Sequence, residues 1–124
     1  MASEIKTKSS FTATKGSLVV SMIPATKTFT LTGDRAFRDG QSIPTTAAGT
    51  LLTFGDLTTL GYALITNLDG TNFIEIGVQV AATFYPFLKL EAGQDCSLWL
   101  VNGVSYYALA DTAAVILDIQ ALER

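Results

Sequence analysis

The side chains that could do chemistry in this sequence are few, and the most versatile of them is missing. The 124 residues include no histidine. That removes the usual general base at neutral pH, the Ser-His and Cys-His nucleophile pairs and the commonest zinc ligand. The single cysteine, Cys96, has no partner for an intrachain disulfide or a thiolate metal site. Its setting, Asp95-Cys96-Ser97-Leu98-Trp99-Leu100, predicts a small buried apolar side chain beside Leu98 and Leu100. Neither phosphate-cradling glycine motif occurs, whether the loop ending in Gly-Lys-Ser/Thr or the three-glycine dinucleotide fingerprint. Paired carboxylates are the one catalytic option left, as in glycoside hydrolysis. Yet Asp56, Asp69, Glu91, Asp95 and Asp111 fall in or beside predicted turns, where Asp is an ordinary turn former. The expectation is a protein that is not an enzyme and holds no cofactor.

Two binding chemistries compete with simple packing. Asn67, Asp69, Thr71 and Asn72 form an oxygen-rich loop, and calcium takes oxygen ligands from flexible loops. Their spacing completes no calcium motif, so these side chains are expected to bond their own backbone and hold a turn. Tyr62, Phe73, Tyr85, Tyr106 and Tyr107 could stack on sugar rings, but Tyr and Phe are equally favoured in cores and subunit interfaces. Trp99 alternates with Leu98 and Leu100 and so is placed on the opposite, outer face of its strand.

The elements that would carry these residues read as strands. Thr26 to Thr32 alternates strictly, with Thr28, Thr30 and Thr32 on one face and Lys27, Phe29 and Leu31 on the other. Further β-type runs are expected at residues 18–23, 50–54, 62–66, 73–80, 84–90, 96–101, 105–109 and 113–121. Residues 33–49, with Asp39-Gly40 and Pro44, read as loop. The strongest local signal is a hairpin: residues 62–66 and 73–80 flank a turn containing Asp69-Gly70. No segment carries sustained helical periodicity with caps. The predicted fold is all-β, an antiparallel β-sandwich of jelly-roll-like or immunoglobulin-like connectivity. Residues 1–16 read as an extended polar N-terminal arm or a first edge strand, and the sandwich domain follows at 17–124.

Composition suggests that this domain works in company. Charged residues make up 15% of the chain and hydrophobic ones 48%, against about a quarter charged in ordinary soluble domains. So few charges leave apolar surface to be covered by other subunits. Residues 1–38 hold six basic residues against two carboxylates, and residues 39–124 hold two against nine. A basic leading segment could therefore lie on an acidic neighbour, including another copy of this chain. Six basic residues spread over 38 positions of an acidic chain make nucleic acid a poor partner. The longest apolar stretches, such as residues 113–117, are far too short to cross a membrane as a helix. No secretory leader and no disulfide framework are seen, so assembly in a reducing cytoplasm is expected.

One resemblance narrows the field. The stretch from Gly61 to Gly77, the segment Phe87-Leu88-Lys89-Leu90-Glu91-Ala92-Gly93 and the segment Tyr107-Ala108-Leu109-Ala110-Asp111-Thr112-Ala113 together resemble a pattern common in small virion proteins of tailed bacteriophages. The resemblance spans residues 60–117 and leaves the N-terminal half unmatched. It implies a non-enzymatic particle component located in the virion: a capsid decoration or cement protein, often trimeric, packing on copies of itself and on the major capsid protein. The alternative it implies is a tail adaptor, a tail-tip module or a glycan-binding fibre module. The residues expected at interfaces are Lys6, Lys8, Phe11 and Lys15 on the arm, and Trp99, Tyr106 and Tyr107 on the sandwich.

Overall fold

A computed structural model describes residues 5–31, 33 and 35–124. All regular structure among them is β, and the chain divides into two compact units, Met1–Thr32 and Gly33–Arg124.

The first unit is built from β1 (Ile5–Thr7), β2 (Phe11–Lys15), β3 (Leu18–Met22) and β4 (Lys27–Phe29). β2 pairs antiparallel with β3 from Phe11↔Met22 to Lys15↔Leu18, and β1 pairs with β4 from Ile5↔Phe29 to Thr7↔Lys27. The pairs are nested, so this segment of chain runs out and back as a ribbon. Its tip is the two-residue turn Gly16-Ser17. Gly16 has a φ of +59° while Ser17 does not enter the left-handed region, the II′ pattern that suits the twist of a hairpin. The ladder breaks between the two pairs around Pro24, which has no N–H to donate. The arm boundary expected after Gly16 therefore falls at the tip of this ribbon. β3 and β4 return along β2 and β1, and Phe11–Lys15 is half of a strand pair rather than a lone extended segment.

The second unit holds β5 (Ala36–Ile43), β6 (Thr50–Leu51), β7 (Leu60–Asn67), β8 (Ile74–Val80), β9 (Thr83–Leu90), β10 (Asp95–Trp99), β11 (Tyr107–Ala110) and β12 (Val115–Glu123). They form two four-stranded antiparallel sheets, ordered β10-β7-β12-β5 and β6-β11-β8-β9. Numbered within the unit, these orders are 6-3-8-1 and 2-7-4-5, the nested arrangement of a jelly roll. That decides between the two sandwich connectivities. Between the sheets lies a core in which Ile43, Ile65, Ile74, Ile76, Val115, Leu117 and Ile119 are essentially sealed from water. The alternation of β12 is the clearest cause: Val115, Leu117, Ile119 and Ala121 point inward, while Ile116, Asp118, Gln120 and Leu122 alternate with them.

Two sequence expectations are corrected by this pairing. β7 and β8 do not form a hairpin: β7 pairs with β10 and β12, β8 with β9 and β11. The residues between them, 68–73, arch from one sheet to the other. Residues 33–49 are not all loop either, since β5 runs straight through Asp39-Gly40 along β12. Its only inward side chains of size are Phe37, Gln41 and Ile43, too sparse an alternation to read as a strand. The hairpin in this unit, β8–β9, closes on Ala81-Ala82, which carries no turn signature in the sequence.

Candidate interaction surface

Four of the five exposed large apolar residues of β2 and β3 share one face of the ribbon, and Val19 alone lies on the other. Register places Phe11 opposite Met22, Ala13 opposite Val20 and Lys15 opposite Leu18, all pointing the same way. Thr12, Thr14, Ser21 and Val19 occupy the other face. Phe11, Leu18 and Met22 are each more than half exposed (53%, 54% and 55%). A lone two-stranded ribbon is at best marginally stable in water, because neither face has anything to pack on. Burying the exposed half of one such Phe, Leu or Met on a partner is worth about 1 kcal/mol. Residues 1–32 carry Lys6, Lys8, Lys15 and Lys27 against Glu4, so this unit is apolar on one face of its ribbon and net positive.

On the sandwich, Trp99 lies on the outer face of its sheet, as its alternation with Leu98 and Leu100 predicts, and stacks on Tyr62 with ring centroids 5.1 Å apart. The Arg124 guanidinium sits 5.9 Å from the Trp99 ring, a distance at which a cation and an indole attract. Tyr106 is not at the surface. It is buried in the core, where its hydroxyl accepts from the Val101 N–H at 2.9 Å. Tyr107 is half-buried on the outer face of the other sheet. So of the three sandwich residues expected at an interface, Trp99 is exposed, Tyr107 partly so, and Tyr106 is structural. Tyr62, Phe73, Tyr85, Tyr106 and Tyr107 are spread over both sheets and the core and form no common platform.

A second apolar strip went unremarked in the sequence. From Ile76 to Leu88 no residue is charged, and β9 is an edge strand. Val80, Tyr85 and Phe87 are exposed along it. Pro86 and the register shift beside it interrupt the free edge, which discourages open-ended strand addition while leaving the side chains to pack.

The arch between β7 and β8 is organised from within. Asn67 is fully buried, and its amide nitrogen donates to the carbonyls of Asn72, Leu90 and Glu91 at 2.9, 3.1 and 3.2 Å. Its oxygen accepts from the Asp69 N–H at 2.9 Å. Asp69 Oδ2 accepts from the Asn72 N–H at 2.6 Å, and this bond is the main reason its carboxyl is held below the usual aspartate range. Thr112 donates to Asn72 Oδ1 at 3.0 Å. Asn67 Oδ1, Asp69 Oδ2 and Asn72 Oδ1 thus accept from the loop's own backbone and from Thr112. Among the described residues no group of three or more His, Cys, Asp or Glu side chains converges. Cys96 packs partly against the core, and burial, aided by the charge of Asp95, pushes its thiol up and away from the reactive thiolate form.

No family model, curated protein or solved structure matches the chain.

Proposed function

We propose that this protein is a non-enzymatic structural subunit of a bacteriophage particle, most simply a capsid decoration or cement protein that stabilises a shell by packing between subunits. The observation that carries this reading is the ribbon: a strand pair presenting Phe11, Leu18, Val20 and Met22 to solvent, and so in want of a surface to lie on. The uncharged β9 edge adds a second packing strip on the sandwich. The jelly roll is a frequent solution for capsid domains, though a fold alone does not assign a role. The virion setting itself comes from the resemblance of residues 60–117 to small phage virion proteins.

The test is in two steps. Peptides of the chain are sought by mass spectrometry in density-purified virions. The recombinant full chain and its Phe11→Ser/Met22→Ser variant are then sedimented with those particles. The chain is expected in the virions, with the variant binding at least about tenfold more weakly, as fits loss of two buried anchors. Absence from purified virions overturns the reading.

A further inference from the structure

Resting on the reading of the chain as a packing subunit, we infer that the apolar, basic face of the ribbon docks on the arch end of the sandwich of a second copy of the same chain. The occupant is chosen by charge. Residues 1–32 carry four lysines against Glu4, a net of +3, whereas residues 33–124 carry four basic residues against ten carboxylates, a net of −6. Opposite net charge on two parts of one chain favours head-to-tail contact between copies and steers their encounter.

The location is chosen by where that charge meets exposed apolar area. The arch at 68–73, the β9–β10 turn and the β11–β12 turn gather at one end of the sandwich. The bonds Asn67 N–H to Gln94 O, Asp111 N–H to Phe73 O and Leu68 N–H to Ile116 O tie them together. Asp69, Glu91, Asp95 and Asp111 lie on these three segments and on the start of β10. Of the sandwich's basic residues only Lys89 accompanies them, and it is engaged by Glu91 at 3.1 Å and by the face of Phe73. Arg35 and Arg124 belong to the other end, at the far end of β12. Within the acidic rim, Leu68 (57%) and Ile116 (46%) are neighbours and both exposed. An apolar spot at the end of the sandwich that carries Asp69, Glu91, Asp95 and Asp111 is the complement of an apolar ribbon face that includes Lys15.

The experiment uses the full chain and two double variants: Lys8→Glu/Lys15→Glu on the ribbon, and Asp95→Lys/Asp111→Lys on the arch end. None of these four side chains makes an ion pair among the described residues, so the fold should survive, as circular dichroism can confirm. Sedimentation equilibrium should show the wild-type chain self-associating, and each variant alone associating about tenfold or more weakly. The equimolar mixture of the two variants should regain association, because reversed charges then face each other again. The inference is overturned if the wild type is a monomer or if the Asp95/Asp111 variant associates like the wild type. It is also overturned if the mixture is no stronger than its components, the outcome expected when the ribbon lies on its own sandwich or on another virion protein. Presence of the chain in virions is measured separately, so the two readings fail independently.

Discussion

Asn67 shows how much of this fold hangs on single side chains. Its buried amide is shared among three carbonyls from two loops, and no other described side chain supplies those donors. Asn67→Ala takes one donor from each of these carbonyls, of which that of Glu91 keeps the Gln94 N–H at 3.0 Å, and should cost about 1–3 kcal/mol, read as a lower urea midpoint. Gly77 is a second such position. A Cβ there would meet the Tyr85 carbonyl oxygen and come within 2.6 Å of Pro86 Cα, both backbone of the paired strand. Gly77→Ala is expected to be among the most damaging substitutions, while Gly70→Ala, at a site with open space around it, should be mild. Two carboxylates are held low and contribute to the acid response. The Asn72 N–H depresses Asp69, and the Thr58 hydroxyl, 2.7 Å from Glu123 Oε1, depresses Glu123. A carboxyl with a lowered folded pKa stabilises fully above its ordinary, unfolded value and loses that contribution as pH falls through the folded value. Melting temperature should therefore drop on acidification below the ordinary carboxylate range. In Asp69→Asn and Glu123→Gln the drop should be shallower.

At the scale of elements, the β8–β9 hairpin is the informative one. Ala81 and Ala82 have φ values of +50° and +64°, a left-handed conformation that costs an L residue about 1–2 kcal/mol. The pair forms the I′ geometry usually assigned to Asn-Gly. Ala81→Asn/Ala82→Gly should stabilise the sandwich by about 1 kcal/mol in urea unfolding, relief of strain outweighing the extra freedom of glycine in the unfolded chain. The same hairpin explains where sequence reading succeeded and failed. Strands with clean alternation, β8 and β12 above all, were legible because a buried face imposes a period of two. The Asp69-Gly70 turn was legible as a turn but not as an arch, since turn chemistry is local and the choice between pairing within a sheet and crossing between sheets is not. β5 was hidden because it is an edge strand with few inward apolar residues. On the candidate surface, Phe11 and Lys15, expected at an interface, are exposed, and Trp99 lies on the outer face that its alternation predicts. Tyr106 was misplaced because alternation in its short strand does not register the turn before it, where its hydroxyl finds Val101. The exposed Leu18, Val20 and Met22 read as an ordinary strand, and only the pairing reveals that their strand is matched to β2 alone.

The whole molecule joins a satisfied interior to a surface that is not. No buried side-chain nitrogen or oxygen among the described residues lacks a hydrogen-bond partner, and the sandwich core is continuous. Against this, the ribbon face, the β9 edge and the Leu68–Ile116 spot all present apolar area to water. A chain with 15% charged residues has little with which to keep such areas solvated and apart. The proposed association between copies would cover these areas, and pairing of lysine with carboxylate would make it salt-sensitive, weakening as ionic strength screens the charges. The most direct measurement is the native mass of the purified full chain by light scattering through a dilution series at low and at high salt. Subunit packing predicts a mass above the 13.2 kDa of one chain that falls on dilution and falls sooner in salt. A constant 13.2 kDa at every concentration and salt would contradict it.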